Sequence, residues 1–463
     1  MKKILFKCIV WTLSLTVITS CVDKNWVDYD INNDPDAPTT VPMSLILPAA
    51  QQSMAYHLVG NNTVRTTAIW MQQFDGIARQ SFTEARYQLT PADVNTVWGA
   101  IYTEVLMNCQ IIMEQAGAES PHFKGVAQVM TAASLGVLTD LFGDIPYSDA
   151  LGGRELKIKP KYDTQESIYT TIFTLLEDAI VNLESTDNLF DLSGDLIYGN
   201  DADQWLKAAY SLKARHHIQL SEVKGDAAYT SALDAAAKGF TSGSDDMKLS
   251  FTSKNKSPFY QFMDQRGDIV MGSTMYNIFY DLPGNYWDPR IESYYDDYFG
   301  SGASQPGSEN ADASLPGDFL AAEDASIYIM SHAELLFIMA EANAELGNTS
   351  DAEENLEDAI VASFVKAGLE ASDDDYDGYI EDAKYFAGDT SLTNIITHKY
   401  LDGFGTNQPY SDWRRTGIPS LSLAQGAKLS QIPTRFPYAQ DEISYNGANV
   451  PKVQVTDKLW WDK

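Results

Sequence analysis

The side chains of residues 285–290 have the composition of a ligand-contact loop. Asn285, Tyr286 and Trp287 stand next to one another, shortly before Asp288 and Arg290. A flat aromatic ring can stack on the weakly polar C–H face of a sugar, while amide, carboxylate or guanidinium groups hydrogen-bond the hydroxyls. This chemistry needs no titrating residue. A packed turn, with Arg290 paired to an acid, is the alternative interpretation.

A second candidate contact region runs from residue 70 to residue 87. It combines the same two kinds of side chain: Trp70, Gln73, Asp75, Arg79, Phe82 and Tyr87. Trp70 and Phe74 are four residues apart, the spacing of one helix face, so core packing is the alternative interpretation there. We predict that these residues, together with those of 285–287, form the ligand contacts.

Motifs for catalysis or metal binding are weak in this sequence. It contains no His-Glu-x-x-His, Gly-x-Ser-x-Gly or phosphate-loop pattern, and no pair of carboxylates stands in a context that marks it as catalytic. Residues 373–378 open like a calcium loop, but Lys384 occupies the position of the bidentate Glu, which favours a helix cap. His216 and His217 are neighbours on a predicted helix and face different sides. We therefore predict no catalytic residue, no metal and no cofactor.

The net charge of the chain limits the kinds of molecule that it is expected to bind. Lys and Arg number 32 against 64 Asp and Glu, a formal net charge of −32. Nucleic-acid binding needs clustered cations for phosphate contacts, so this balance opposes it. Hydrophobic residues make up 44% of the chain, enough to bury a sizeable core.

The amino terminus has the pattern of an export signal. Lys2, Lys3 and Lys7 precede a short apolar run that ends at Ser20 and Cys21. Small residues before a cysteine are typical of a lipobox, where the signal is cut and the cysteine is acylated. We predict a signal peptide at 1–20, a lipidated tether at 21–42 and an anchored protein, because no other apolar run approaches membrane-spanning length.

The remaining chain, 43–463, is predicted to be one mainly helical domain. Helical periodicity dominates 43–222, an irregular aromatic-rich region follows at 223–325, helices return at 326–367, and 391–463 is rich in loops. The two helices of 331–367 resemble one tetratricopeptide repeat. Looser pairs are 97–116 with 122–141 and 164–184 with 203–221.

Several motifs in order resemble the SusD/RagB family of outer-membrane lipoproteins, in its SusD-like branch. They are the lipobox, residues 140–150 (DLFGDIPYSDA), 333–342 (AELLFIMAEA), 412–419 (DWRRTGIP), 432–438 (IPTRFPY), Glu442, Asn446 and Trp460-Trp461. The resemblance covers essentially the whole chain after the signal. It implies an all-α SusD-like fold, with four tetratricopeptide-like helix pairs as scaffold and a loop-rich binding face.

The resemblance also implies a function. Such proteins bind a nutrient, usually an oligosaccharide, at the cell surface and deliver it to a SusC-like TonB-dependent barrel, without chemical change. The implied location is the outer membrane, through the lipid on Cys21, and the motif residues Arg414 and Arg415 are implied to cross-link loops rather than to bind ligand. Capture of cationic peptides by the same scaffold is the alternative, because the acidity of the chain would steer them. An all-α hydrolase and a scaffold for protein assembly are further alternatives.

Overall fold

Helices dominate the computed structural model, which describes residues 40–152, 157–280, 287–297, 300–369 and 376–462. The helices of the first half are α1 (Met43–Ser53), α2 (Asn61–Trp70), α3 (Arg79–Ala85), α4 (Asn95–Ala100), α5 (Met107–Ala116), α6 (Pro121–Phe142), α7 (Gln165–Leu183) and α8 (Ala202–Gln219). Two wider π-helical segments, Met54–Leu58 and Ile101–Leu106, follow α1 and α4 directly.

The helices of the second half are shorter at first and then long again. They are α9 (Ser221–Lys224), α10 (Asp226–Ala236), α11 (Pro258–Gln265), α12 (Ser273–Tyr280), α13 (Ile291–Tyr294), α14 (Asp318–Ala321), α15 (His332–Glu345), α16 (Thr349–Lys366), α17 (Tyr376–Ala387), α18 (Leu392–Asp402), α19 (Gln408–Thr416) and α20 (Gln440–Tyr445). A short 3₁₀ turn covers Gly243–Asp245.

Four short strands form two antiparallel ribbons. They are β1 (Phe74–Gly76), β2 (Met247–Leu249), β3 (Ile269–Met271) and β4 (Ile327–Met330). In the first ribbon β1 pairs with β3, and Asp75 lies opposite Val270. In the second, β2 pairs with β4, with a register irregularity after Met247. Each ribbon joins segments far apart in sequence, so both fix loops to the helical body.

The long helices pack on one another as neighbours in the chain, so that α5, α6, α7, α8 and α10 form a continuous row that α15 and α16 extend. The predicted pairs do touch, but α6 packs more extensively on α7 than on α5. A main core runs through this row, and a second cluster around Phe337, Ile360 and Phe364 joins α15 to α16, α17 and α18. The mainly helical fold predicted from the sequence is confirmed.

Helix α6 is the central core helix. By length and composition it could cross a membrane, contrary to the prediction that no run after the signal approaches that length, but 89% of its apolar window is buried inside the protein. Pro121 opens it, where a missing amide hydrogen costs nothing, and Gly143 with φ of +79° closes it. A helix that is apolar all round belongs in the core of a large domain.

The motif residues of the carboxyl-terminal half hold this core together. The Arg415 guanidinium makes a bidentate contact with the buried Glu341 carboxylate and also binds Asp412, which Lys399 contacts at 3.1 Å. Arg414 instead donates to the carbonyls of Tyr410 and Asp140. The structural role expected for both arginines is confirmed, although only Arg415 uses carboxylates.

The described part of region 223–325 contains more regular secondary structure than the sequence predicted. Short helices and strands, among them α10, α11, β2 and β3, occupy much of its described part. None of these elements exceeds the eleven residues of α10, so no window is long enough for its periodicity to stand out. The aromatic residues of this region largely pack inward, as Phe259, Phe279 and Tyr294 do.

Candidate functional site

A cavity of about 290 Å³ lies where α2, α3 and α11 meet the π-helical segment Met54–Leu58. Its lining combines aromatic rings with amide, hydroxyl, imidazole and guanidinium groups: Tyr56, His57, Asn62, Arg65, Gln80, Ser81, Pro258, Gln261, Phe262, Gln265 and Arg266. None of these lining residues is Asp or Glu. The cavity therefore offers rings and hydrogen-bonding groups without a carboxylate.

The π-helical segment and a close turn place Tyr56 and His57 at the cavity. The amide of Val59 donates to the carbonyl of Met54 at 3.2 Å, which is the wider spacing of a π-helix. At Gly60 an added Cβ would lie 2.2 Å from the carbonyl oxygen of Ala55, so only glycine fits. The chain can thus reverse into α2 without pulling the segment away from the cavity.

A buried ion pair forms the inner wall. Arg65 Nη2 lies 3.2 Å from Glu84 Oε1, and Arg65 Nε donates to Oε2 at 3.3 Å. Both side chains are nearly inaccessible, and burial raises the pKa of Glu84 even though Arg65 opposes the change. The Arg65 guanidinium also lies 4.6 Å from the Phe262 ring centroid. The pair fixes α2 to α3 and supports the ring at the same time.

The β1–β3 ribbon brings α3 beside the end of α11. Because β1 pairs with β3, the residues just after β1 meet those just before β3, and the Arg79 guanidinium binds the Asp268 carboxylate and the Arg266 carbonyl. Arg79 itself has φ of +48°, a left-handed conformation that is costly for a side chain of this size. Gln80 and Ser81 follow it into the cavity wall.

Hydrogen bonds set the position of the Tyr56 ring. Its hydroxyl donates to the Lys256 carbonyl at 2.9 Å and accepts from Gln261 Nε2 at 2.9 Å. The ring meets Phe251 edge to face, with centroids 5.7 Å apart. A ring held by a network of this kind keeps its orientation when a ligand arrives, which lowers the entropy cost of binding.

Four of the predicted contact residues are buried in the core and present no face to a ligand. Trp70 is 1% exposed and packs edge to face on Tyr410 and Phe436, and α2 ends at Trp70, so Phe74 belongs to β1 and not to the same helix. Gln73 donates to the Tyr400 carbonyl at 3.0 Å. These two side chains therefore hold the core together.

Asp75 and Tyr87 are buried in the same way. The Asp75 carboxylate accepts from Ser304 Oγ at 2.6 Å and from the Gly307 amide at 2.7 Å, and burial raises its pKa. The Tyr87 hydroxyl accepts from the Ala424 amide at 3.1 Å. Both residues tie distant loops to 74–87. With Trp70 and Gln73 they are corrected from ligand contacts to packing residues.

Arg79 and Phe82 keep some access to solvent. The Arg79 side chain is 57% exposed, although Asp268 holds its guanidinium. Phe82 is half-buried, and the Arg86 guanidinium covers one of its faces at 3.9 Å from the ring centroid. The region predicted from residue 70 to residue 87 therefore borders the cavity, but chiefly through Gln80 and Ser81, which the sequence had not singled out.

The residues of the predicted loop at 285–290 have three different outcomes. Asn285 and Tyr286 lie outside the described residues, as do the signal peptide, Cys21 and the calcium-like segment 373–375. Trp287 is half-buried and packs against the main core. Asp288 and Arg290 form a fully buried ion pair, with Arg290 Nη2 2.6 Å from Asp288 Oδ2, which confirms the packed-turn interpretation for them.

The other histidines and cavities of the described residues are weaker candidates for a functional site. No group of three His, Cys, Asp or Glu in the described part is arranged to hold a metal. His216 is buried and its pKa is lowered to about 3 by burial, while His217 stacks on Phe173 at 4.3 Å between centroids. A second cavity, of about 380 Å³ beside Tyr328, includes Lys366, which Asp402 holds at 2.6 Å.

The cavity residues that the sequence analysis missed come from both halves of the fold. Tyr56, His57 and Arg65 look like ordinary helix residues in the sequence, because only the close turn at Gly60 aims them at one place. The segment Phe259-Tyr260-Gln261-Phe262 did carry a signal, an aromatic cluster with an amide, and Phe262 and Gln261 do line the cavity.

Comparison with known proteins adds independent evidence. The family model described as SusD-like, "starch-binding associating with outer membrane", matches residues 34–439. A SusD/RagB family protein from Bacteroides thetaiotaomicron is 25% identical, with a TM-score of 0.76 over 91% of this chain and 99% of its own. A chitin-binding SusD homologue from Flavobacterium johnsoniae is 22% identical, with a TM-score of 0.75 over 91% and 98%. No curated protein matches the chain.

Proposed function

The chain belongs to the SusD-like family, and we propose that it binds an oligosaccharide nutrient in the cavity between α2, α3 and α11 and passes it on unaltered. The observation that carries this proposal is the lining itself. Tyr56 supplies a half-buried aromatic ring, and Phe262 adds a ring that is 8% exposed beside Arg65. Asn62, Gln80 and Gln265 supply amides that make no side-chain hydrogen bond within the described part of the chain. Stacking on rings and hydrogen bonding to hydroxyls is the chemistry that a sugar needs.

The same lining supports binding rather than hydrolysis. Glycoside hydrolysis uses two carboxyl groups about 5–10 Å apart across the scissile bond. The residues that line this cavity include none, and the Glu84 and Asp268 carboxylates behind its wall are each held by an arginine. Purified protein incubated with a polysaccharide that it binds should release no reducing ends.

We further propose that the protein is anchored in the outer membrane by lipid on Cys21 and works with a SusC-like TonB-dependent barrel. The membership of the chain in the family and the lipobox at Cys21 support this. Replacing Cys21 with Ser should leave the protein unlipidated and release it from the membrane fraction. Affinity purification of the wild-type lipoprotein from its own membranes should recover the barrel, and recovery without any barrel would contradict the partnership.

A calorimetric comparison tests the binding site. The lipoprotein in detergent is screened against oligosaccharides, and Tyr56→Ala and Gln265→Ala are then titrated with those that bind. Each substitution should weaken binding, the first by about tenfold, taking as a guide the roughly 1–3 kcal/mol that stacking on an aromatic side chain contributes for a nucleobase. Tyr445→Ala is the matched control, since Tyr445 is 74% exposed and does not line the cavity.

A peptide panel in the same titrations tests the alternative ligand class. Cationic peptides require carboxylates, and the cavity lining has none. Peptides should therefore neither bind in the cavity nor compete with the sugar. Unchanged sugar affinity in both cavity variants would remove the cavity from the proposal, and binding of peptides in preference to every sugar would overturn the proposed ligand class.

A further inference from the structure

The charge around the cavity is opposite to the charge of the chain. The protein carries 64 Asp and Glu against 32 Lys and Arg, yet the cavity is lined by two arginines and a histidine and by no acid. Arginine and carboxylate side chains can both hydrogen-bond the hydroxyls of a neutral sugar, but only an arginine-lined cavity without carboxylates also favours an anionic group.

Ion pairing among the described charged side chains around the cavity leaves one cation unpaired. Glu84 is held by Arg65 and Asp268 by Arg79, so each of these two carboxylates is already neutralised by an arginine. Arg266, at the end of α11, is exposed and forms no ion pair with any residue that the structure describes. The net charge of this group of five side chains is therefore +1, and it resides on the guanidinium of Arg266.

The backbone around Arg266 is fixed although its side chain is not. Its amide donates to the Phe262 carbonyl at 2.9 Å, and its carbonyl accepts from Arg79 Nη2 at 2.6 Å. The guanidinium thus projects from a held position at the cavity rim. Deeper in, Nδ1 of His57 is buried and has no hydrogen-bond partner among the described residues. A buried polar atom left unpaired costs stability unless a ligand or water satisfies it.

We propose, granting the proposed glycan site, that its ligand is an acidic sugar: a pyranose whose exocyclic group is a carboxylate or a sulfate ester. Arg266 binds the anionic group, for which its planar fork of donors is suited. Gln265 and Asn62 hydrogen-bond the ring hydroxyls, and the Phe262 and Tyr56 rings face the C–H surface. The cavity is at the small end of ligand pockets, so it receives one end or one unit of a longer chain.

Paired ligands that differ only in charge test the inference. The lipoprotein in detergent is titrated with trigalacturonate and with its methyl ester, and with a sulfated galacto-oligosaccharide and its desulfated form. At least one acid should bind about tenfold to a hundredfold more tightly than its neutral counterpart, the range expected for one charge-assisted hydrogen-bonding group. Arg266→Gln should abolish that ratio, because it weakens the binding of the acid far more than the binding of the neutral form.

Lys452→Gln is the control, because it removes the same charge from an exposed residue outside the cavity, and it should leave the ratio intact. Any of three results would overturn the inference. The neutral forms could bind as tightly as the acids, neither acid could bind, or the preference for the acid could survive in Arg266→Gln. Neutral oligosaccharides that still bind and still depend on Tyr56 would leave the proposed function standing.

Discussion

Replacing Arg65 with Met should destabilise the protein far more than most single substitutions, because it leaves the Glu84 carboxylate buried without its partner. Both side chains are almost inaccessible, at 6% and 2% exposed. Breaking a buried ion pair by removing one member costs about 3–5 kcal/mol, since the remaining charge keeps its desolvation penalty. The variant also loses the cation above Phe262. Glu84→Gln should cost less, because the amide oxygen of Gln can still accept a hydrogen bond from the Arg65 guanidinium.

The pH dependence follows from the sign of the pKa change. Burial raises the pKa of Glu84 above its usual value of 4.5, and Arg65 holds it back. Without Arg65 the pKa rises further, so the variant gains a proton at a higher pH than the wild type does. The stability difference between the two should therefore be largest near pH 8 and shrink toward pH 5, by about 1.4 kcal/mol for each unit of pKa change.

Urea unfolding of the wild type, both single variants and the double variant Arg65→Met with Glu84→Leu provides the assay. The double variant should recover much of the loss, since two apolar side chains can replace a buried pair at little net cost. Should Arg65→Met prove too unstable to purify, the comparison of Glu84→Gln with the double variant still decides the matter. A loss below about 1 kcal/mol in Arg65→Met, or a loss independent of pH, would refute the reasoning.

Three further predictions concern the core, the turn before α2 and the loop at residue 287. Asp140 is buried and its pKa is raised to about 6, so its contribution to stability is present at low pH and lost as pH rises through about 6. In urea unfolding, the stability of Asp140→Asn relative to the wild type should therefore increase between pH 5 and pH 8, and a constant difference would contradict this. Gly60→Ala should lower the melting temperature, because the new Cβ would clash with the Ala55 carbonyl. Gly99→Ala, in α4 with open space around it, should raise the melting temperature, and equal effects of the two substitutions would count against the close turn. Trp287→Ala should weaken glycan binding without unfolding the protein, and unchanged affinity in calorimetry would remove Trp287 from the ligand contacts.

The long helices were predictable because their periodicity is repeated over many turns. Helix α7 shows it: Ile168, Ile172, Ala179 and Leu183 recur on one face, and all are buried. The motif arginines were predictable for a different reason, since the resemblance to a family placed them in the scaffold. In contrast, α11 is only eight residues long, and its role depends on the β1–β3 ribbon that brings it to α3.

The individual ligand contacts were harder to predict because the same residue types serve packing and binding. Trp70 and Tyr87 have rings with polar ends, and each uses its polar end on a backbone group, the Glu84 carbonyl and the Ala424 amide. Nothing in the local sequence separates them from Tyr56, which remains half-exposed. Whether a ring is buried or exposed depends on which loop covers it, and that depends on contacts between segments far apart in the sequence.

The most direct test of the proposed site is a crystal structure of the protein with an oligosaccharide that binds it in solution. We expect sugar density in the cavity between α2, α3 and α11, with a pyranose ring against Tyr56 or Phe262 and its hydroxyls within hydrogen-bond distance of Gln80 or Gln265. Sugar density only in another place, such as the cavity at Tyr328, with the proposed cavity holding only water, would contradict the account.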